Sequence, residues 1–366
     1  MSVDDTKRAL CLVLCLLAAG CGDDDDPGGD AGGVDGGTQE PDAGGGPTEP
    51  LTVVAMDGEH VHFTVENRRR VNVEVDFPAL DQRYGEVIMH FALRCPPDGG
   101  CDWWDRRGAL MIVENPGVPE EEEQRIEISR FVTPYRVGAS WDVDVTDLRP
   151  LLSGRRTLQV FIDTWVGPGH ANGAGWLVDV SFELRPGALE RRAMAVVPLF
   201  RSQQPVYGDP ARSIPSQVPP VTLDVPTGAS ALAIRTFITG HGQGNAENCA
   251  EFCARDHTFS VEGEAFTRNI WRDDCATTAA PGQAGTYTYP RAGWCPGAVV
   301  HDWTFAVPLP TDSTVEVGYD VAAYENSCRP GVTVCAGCTL GTGCEYDGGA
   351  HTEPHYDLSA LLIAYE

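Results

Sequence analysis

The heptapeptide Val71-Asn-Val-Glu-Val-Asp-Phe77 alternates apolar and polar side chains without a break. Because successive side chains of a β-strand point to opposite faces, this pattern predicts a strand with one buried and one solvated face. Turn-forming Pro, Gly and Asn separate such segments, and no helical stripe persists beyond two turns. The sequence therefore predicts an all-β fold of antiparallel sandwiches or barrels. The same period recurs at Val61/Phe63/Val65, Val87/Met89/Phe91/Leu93, Val221/Leu223/Val225 and Val315/Val317/Tyr319/Val321.

The body of the chain, residues 51–366, is longer than one hydrophobic core usually serves. A Pro-Gly turn follows one predicted strand within residues 185–192, and a new apolar run opens at Ala193. We therefore expect two domains, 51–191 and 192–366.

The first fifty residues have the features of an export signal and a tether. A short positive start precedes an apolar run (9–19) that is too short to span a bilayer and ends in Leu17-Ala-Ala-Gly-Cys21. Small residues before a cysteine resemble the bacterial lipobox, which predicts a signal peptide over 1–20 and lipidation of Cys21. An ordinary signal peptide with a chance cysteine is the alternative.

Residues 21–50 contain ten Gly, four Pro and nine acidic residues, a composition that predicts a disordered acidic tether. We thus expect an exported protein, lipid-anchored to a bacterial membrane of the cell envelope. The sequence leaves open whether this is the outer-membrane surface and which leaflet holds the lipid. The formal charge of −27 comes partly from the tether, but the rest is still acidic, which argues against nucleic acid as a partner.

Ten of the thirteen cysteines lie beyond Cys21. An even number in an exported chain predicts five disulfides. Cys335 and Cys338 also have the spacing of zinc ligands, but no second pair stands at finger spacing, so disulfides are favoured. The ten are Cys95, Cys101, Cys249, Cys253, Cys275, Cys295, Cys328, Cys335, Cys338 and Cys344.

Three carboxylates stand beside aromatic residues and are candidates for chemistry. Asp105 follows Cys-Asp-Trp-Trp104, and its neighbour Arg106 is expected to lower its pKa, while the tryptophans exclude water or stack on a sugar. Glu251 lies between two cysteines at the apex of a tight turn. Asp163 and Trp165 should share one strand face. A single such acid is usually solvated or a cap, but three together favour a polar cleft.

Several longer motifs resemble the peptide-N-glycosidase F family in sequence and order, from about Val87 to the end of the chain. The resemblance implies two side-by-side eight-stranded antiparallel jelly-roll domains with the active site at their interface. It also implies an amidase that releases N-linked glycans from glycoproteins or glycopeptides. The motifs are Cys101-Asp-Trp-Trp-Asp-Arg106, Arg130-Phe-Val-Thr-Pro-Tyr-Arg-Val-Gly138, Asp144-Val-Thr-Asp-Leu148 with Leu151-Leu-Ser-Gly154, Cys249-Ala-Glu-Phe-Cys253 and Arg291-Ala-Gly-Trp-Cys-Pro-Gly297.

The resemblance implies a role for each matched position. Asp105 would activate the water that attacks the amide, and Glu251 would hold the first N-acetylglucosamine. Further residues would line the cleft and bind substrate, and the implied disulfides are Cys95–Cys101, Cys249–Cys253 and Cys275–Cys295. The matched cleft residues are Arg106, Trp165 and Arg291, and Trp104 and His241 are further candidates for substrate binding.

Two positions depart from the family. Asp163 stands where the family has a glutamate that acts through water, and His241 stands where it has tryptophan. Either difference could alter substrate choice. Amide hydrolysis needs a positioned water, a carboxylate and oxyanion donors, so no cofactor and no metal are expected, and we expect a monomer.

Two other functions compete. A copper monooxygenase of related double jelly-roll architecture would need histidine clusters, and His60 with His62 on one strand face is more typical of a solvated surface. A glycan- or protein-binding surface lipoprotein that kept the cleft and lost turnover is favoured by the shortened Asp163 and opposed by Asp105, Arg106 and Glu251.

Overall fold

In the computed structural model, which describes residues 46–329, 332 and 351–366, the chain forms four large antiparallel sheets arranged as two β-sandwiches. The predicted signal peptide, Cys21, most of the predicted tether, Cys335, Cys338 and Cys344 lie outside the described residues. No helix within the described ranges is long and apolar enough to cross a membrane.

Nine strands before residue 186 build the first sandwich. One sheet has the order β2-β1-β9-β4-β7 and the other β17-β6-β5-β8-β3, where β17 comes from later in the chain. The strands are β1 (Leu51–Phe63), β2 (Asn67–Arg68), β3 (Arg70–Phe77), β4 (Glu86–Arg94), β5 (Arg107–Val113), β6 (Arg125–Val132), β7 (Ala139–Asp144), β8 (Gly154–Ile162) and β9 (Trp176–Arg185).

The second sandwich begins with strand β10 at Ala193, after a segment without strands that follows Arg185. Its sheets have the orders β10-β20-β12-β18 and β11-β19-β13-β14, and β15 pairs with β16 in a separate ribbon. The strands are β10 (Ala193–Gln203), β11 (Val221–Asp224), β12 (Ala231–His241), β13 (Asp256–Val261), β14 (Glu264–Asn269), β15 (Trp271–Arg272), β16 (Arg291–Ala292), β17 (Ala298–Val299), β18 (Trp303–Val307), β19 (Thr314–Val321) and β20 (His355–Tyr365).

Within the part of the chain that the structure describes, helical structure is limited to single turns. The two short helices are α1 (Ile214–Gln217) and α2 (Cys275–Thr278), and two 3₁₀ turns span Glu120–Glu122 and Thr146–Leu148.

Strand β20 joins the two sandwiches. Its sequence is almost continuously apolar, as expected for a strand that is buried on both faces. Leu361 and Ile363 pack in the core of the first sandwich, whereas Leu358 and Leu362 pack in the core of the second. The alternation of the strand therefore sends neighbouring side chains into two different cores and fixes the interface between the sandwiches.

The predicted strands at 71–77, 87–93, 221–225 and 315–321 correspond to β3, β4, β11 and β19. The alternating pattern Val61/Phe63/Val65 predicted a strand that includes Val65. This is wrong at its last residue, because β1 ends at Phe63 and Val65 is fully exposed. The N–H of Thr64 donates to the carbonyl of Glu66 at 3.0 Å, and this tight turn takes Val65 out of the strand.

Three disulfides join pairs of cysteines that both lie in the described residues, and they are the pairs that the family resemblance implies. The first disulfide joins Cys95 to Cys101, the second Cys249 to Cys253 and the third Cys275 to Cys295. Cys328 is also disulfide-bonded.

Candidate active site

The loop that carries Asp105 is held by a buried carboxylate three residues earlier. Asp102 is inaccessible to solvent and accepts hydrogen bonds from Arg106 Nε at 2.8 Å, the Thr164 hydroxyl at 2.7 Å and the Trp104 N–H at 3.0 Å. A buried carboxylate is costly unless its lone pairs are used. These bonds, together with the first disulfide, fix the backbone on both sides of Asp105.

Glu251 is positioned by the second disulfide and by strand β12. The N–H of Gly242 donates to Glu251 Oε2 at 3.2 Å, and the N–H of Ala292 donates to the Glu251 carbonyl at 2.9 Å. A Cβ at Gly240 would lie 2.5 Å from the carbonyl oxygen of Ala250, so only glycine lets β12 approach this turn. The carboxylate therefore lies at the end of β12, beside β16.

Arg291 opens β16 and is the most deeply buried cation of the cleft, with 2% of its surface exposed. Its Nη1 donates to the carbonyls of Thr286 at 3.1 Å and Tyr289 at 3.0 Å, and its guanidinium lies 4.7 Å from the Trp294 ring. Its Nε is 3.4 Å from Glu251 Oε1. The backbone of the 286–289 loop thus orients a guanidinium toward Glu251.

The two carboxylates have perturbed acidities. Burial raises the pKa of Asp105, and the hydrogen bond from Tyr135 and the charges of Arg291 and Arg106 only partly oppose this rise. Burial also raises the pKa of Glu251 to about 7, against the opposing charge of Arg291 and with a further rise from the negative charge of Asp105. Such shifts in a cleft are typical of groups that move protons. We call Asp105, Tyr135, Glu251 and Arg291 the cleft floor.

A more exposed group borders the floor. Asp163 follows β8 and forms an ion pair with Arg69 Nη1 at 3.1 Å, while 38% of its side chain remains exposed. The Arg69 guanidinium lies 4.2 Å from the ring of Trp165, which also contacts Phe63 at 5.1 Å. Trp165 and Trp104 are half-exposed. We call Asp163, Arg69, Trp165 and Trp104 the cleft rim.

His241, the last residue of β12, lies behind the floor. Its ring stacks on Trp294 with centroids 5.6 Å apart, and its Nε2 hydrogen-bonds with the Thr239 hydroxyl at 2.8 Å and is 3.4 Å from Asp357. Burial lowers the pKa of His241 to about 3, despite the opposing charge of Asp357. The imidazole is therefore neutral at physiological pH.

Two family models match this chain. The model of the N-terminal domain of peptide-N-glycosidase F matches residues 116–174, and the model of the C-terminal domain matches residues 211–328. The chain belongs to the peptide-N-glycosidase F family.

One curated relative of the peptide-N-glycosidase F family is peptide-N(4)-(N-acetyl-β-D-glucosaminyl)asparagine amidase F of Elizabethkingia miricola. It is 30% identical over 237 residues, which are 61% of this chain, and the chain spans 64% of that relative's length. The crystal structure of an asparagine amidase of the same description superposes with a TM-score of 0.69 at 24% identity, covering 87% of this chain and 96% of the other. Peptide-N-glycosidase F from Flavobacterium meningosepticum gives a TM-score of 0.68 at 24% identity, covering 86% and 95%.

The structure brings together most of the residues that the peptide-N-glycosidase F resemblance implies. Asp105, Glu251 and Arg291 interact at the floor, and Arg106 lies beside them. The charge of Arg106 lowers the pKa of Asp105, as expected, but burial has the larger effect, so the pKa of Asp105 is raised overall. Asp163 lies on the rim, apart from the floor.

The expected strand alternation of Asp163 and Trp165 is also wrong. Strand β8 ends at Ile162, so neither residue lies in a strand. They nevertheless share a neighbour, because both contact Arg69.

Sequence reasoning missed Asp102, Tyr135 and Thr286. Asp102 and Tyr135 each lie in a motif that carries the family resemblance, but neither was given a role. The spacing of Asp102 and Arg106, four residues apart, was the one signal that pointed to their ion pair. Thr286 carries no local pattern.

The copper hypothesis depends on histidine clusters. Across residues 46–329, 332 and 351–366, the one group of three metal-ligating side chains within 4.8 Å is Asp274, Cys275 and Cys295, and its cysteines form the third disulfide. His62 is buried, which corrects the expectation of a solvated surface pair. His60 Nε2 hydrogen-bonds with the carbonyl of Ala174 at 2.7 Å.

Proposed function

We propose that this protein hydrolyses the side-chain amide of glycosylated asparagine and so releases N-linked glycans from glycoproteins or glycopeptides. The observation that carries the proposal is the cleft floor, where two carboxylates of raised pKa meet one buried, oriented arginine. The name of the Elizabethkingia relative describes an amidase of this kind. The products would be a peptide aspartate and a glycosylamine.

Each floor residue has a chemical role in this reaction. Asp105 orients and deprotonates the water, since a raised pKa makes the carboxylate a stronger base. Arg291 and Arg106 supply N–H donors to the oxyanion that develops on the amide carbonyl oxygen. Glu251 accepts or donates a hydrogen bond to the first sugar, because a pKa of about 7 lets both forms exist near neutrality.

The test is a direct assay. The mature protein is incubated with a denatured high-mannose glycoprotein in EDTA, and mass spectrometry follows the released glycan and the conversion of asparagine to aspartate. We expect both products in equal amounts. Glycan binding without release would instead support a binding lipoprotein, and activity that requires added copper would support the monooxygenase.

We also propose that Cys21 carries a lipid that anchors the protein to a membrane. The support is the sequence ending Leu17-Ala-Ala-Gly-Cys21 and the acidic tether after it. Fatty-acid labelling in a bacterial host should mark the parent and not a Cys21→Ala variant, which should leave the membrane fraction.

A further inference from the structure

A groove between the two sandwiches, which nothing above assigns, adjoins the cleft. It has a volume of about 310 Å³ and is floored by the outer face of β5 and β8, with Asp357 of β20 on the opposite wall. We call it the interdomain groove. Its volume lies at the lower end of the usual range for small-molecule sites, roughly 300–1,000 Å³.

The interdomain groove begins where the cleft ends. The carbonyl of Arg107, a groove residue, accepts the N–H of Asp163 on the cleft rim at 2.9 Å. Across the groove, Asp357 is 3.4 Å from His241 Nε2, and the N–H of the next residue, Gly242, donates to Glu251. Both groove walls are therefore continuous with Asp163 and Glu251, on the side of the cleft where the sugar would lie.

Five arginines line the groove, and each is neutralised by a carboxylate. Their one-to-one pairing leaves no net charge, so a charged ligand gains little there and an uncharged polar ligand is favoured. The pairs are Arg70 with Glu120 at 2.8 Å, Arg107 with Asp357, Arg125 with Glu123 at 2.6 Å, Arg130 with Glu127 at 2.7 Å, and Arg201 with Glu114 at 2.5 Å.

The interior of the groove offers planar donors around an aromatic ring. Arg70 lies 4.3 Å and Arg107 5.9 Å from the ring of Phe161. Among the described contacts, both arginines reach their carboxylates through Nη1, and 28% of the Arg70 side chain and 30% of the Arg107 side chain remain exposed. The Nε of Arg70 is buried, so the Nη2 group of each guanidinium is the donor that a hydroxyl could use. Apolar ring surface beside forked donors suits a neutral sugar.

A peptide fits this groove less well. Ala109 lies on β5 and Phe161 on β8, and each of these strands is paired on both sides. Their backbone groups are already bonded, so a peptide could not add to the sheet as a further strand.

We infer that the interdomain groove binds neutral sugar units of the substrate glycan beyond the sugar held by Glu251. This inference rests on the proposed amidase function and extends it to glycans longer than their first two sugars. The groove would raise affinity for long neutral glycans and leave the chemistry at Asp105 unchanged.

The test uses a substitution that fills the interdomain groove and leaves the residues of the cleft unchanged. Ala109 is a small residue on the groove floor, and Ala109→Trp keeps a strand-forming side chain there. Thr222→Trp adds the same bulk at an exposed position of β11 and is the matched control. Both variants are assayed on two glycopeptides of one sequence, one carrying N-acetylglucosamine disaccharide and one a neutral high-mannose glycan.

We expect Ala109→Trp to raise KM for the high-mannose glycopeptide about tenfold and to leave the disaccharide glycopeptide unchanged. The control should change neither. Equal losses on both substrates, or no loss on either, would overturn the inference.

A binding measurement separates this inference from the proposed function. Free neutral high-mannose oligosaccharide is titrated into parent and Ala109→Trp protein by calorimetry. If the parent binds the oligosaccharide, the variant binds it about tenfold more weakly and neither hydrolyses glycopeptide, the groove assignment stands and the amidase proposal fails. If the parent hydrolyses glycopeptide but both proteins bind the oligosaccharide equally, the groove assignment fails alone.

Discussion

The cleft floor and the cleft rim contain carboxylates that look alike in the sequence, each beside an aromatic residue, yet their surroundings differ. At the floor, Glu251 keeps 16% of its side chain exposed and shares a buried site with Arg291. On the rim, Asp163 is 38% exposed and pairs with Arg69, which is itself stacked on Trp165. The carboxylate at the floor is thus largely shielded from solvent and interacts with a buried charge, whereas the carboxylate on the rim is accessible to solvent.

Under the proposed amidase function, this difference favours the carboxylates of the floor over that of the rim as the groups that do the chemistry. Removing water strengthens every electrostatic interaction at the floor and shifts pKa values there. On the rim, solvent screens the ion pair, so its contribution is small. If equivalent substitutions at the floor and on the rim changed activity by the same factor, this contrast between the two regions would be wrong.

The largest effect is expected at Asp105. Asp105→Asn keeps the shape of the side chain and removes the base, so kcat should fall by about 10²–10⁴ or more while glycopeptide binding stays measurable. The comparison variant Asp163→Asn removes the same charge from the rim and should cost less than about tenfold. An Asp105→Asn protein as active as its parent would rule out the mechanism.

The second-largest loss of activity is expected on substitution of Arg291. Arg291→Gln removes an oxyanion donor and the charge that restrains the pKa of Glu251, so kcat should fall by about 10²–10³. Arg272 is a matched control because it pairs in register with the strand of Arg291 and is nearly as buried, but it binds Asp274. Arg272→Gln should affect unfolding more than turnover, and equal losses of kcat would indicate a purely structural role for Arg291.

Glu251→Gln should act on substrate binding, with KM rising about tenfold because a charged hydrogen-bond partner of the sugar is lost. The parent's inflection in kcat/KM near pH 7 should disappear with it. Glu247→Gln is the control, since Glu247 is an exposed acid of the same loop region that pairs with Arg255. If the Glu251→Gln variant kept the inflection of kcat/KM near pH 7, that inflection would belong to the titration of another group.

The same substitution has a consequence for stability. The pKa of Glu251 is about 7 when folded and near 4.5 when unfolded, so the folded state binds the proton more tightly. Its contribution is complete below pH 4.5 and is lost as pH rises to 7. Glu251→Gln should therefore gain up to about 3 kcal/mol relative to its parent between pH 4.5 and 8. Denaturant unfolding at both pH values measures this gain.

The smallest effect is expected for Asp163→Glu, which restores the side-chain length of the family. We predict equal or higher activity, within about threefold, because the longer carboxylate remains on the solvated rim. A loss comparable to that of Asp105→Asn would show that the rim takes part in the chemistry. Steady-state rates on one glycopeptide suffice for this comparison.

Much of the fold could be predicted from local patterns, because alternation at 71–77 and 315–321 is a direct consequence of one-sided burial. Strand β20 shows the limit of that approach. Its continuous apolar run indicates two buried faces but not that one face belongs to the core of another sandwich.

The site was predictable where a motif is compact and not where it is assembled from distant segments. Glu251 lies between paired cysteines, which any reader of the sequence can see. The net pKa of Asp105 depends on Tyr135 and Arg291, which come from other parts of the chain. The sequence does show Arg106 beside Asp105, but Arg106 affects the pKa of Asp105 less than Tyr135 and Arg291 do.

Strand β1 has a geometric consequence for encounters with substrate. It starts at Leu51, directly after the predicted tether, and ends at Phe63 against Trp165 of the cleft rim. Thirteen residues of strand span about 40 Å. The start of β1 and the cleft rim thus lie at opposite ends of this strand. Under the proposed anchoring at Cys21 and the proposed amidase function, a bulky glycoprotein would approach the cleft at the end of β1 that lies farthest from residue 51.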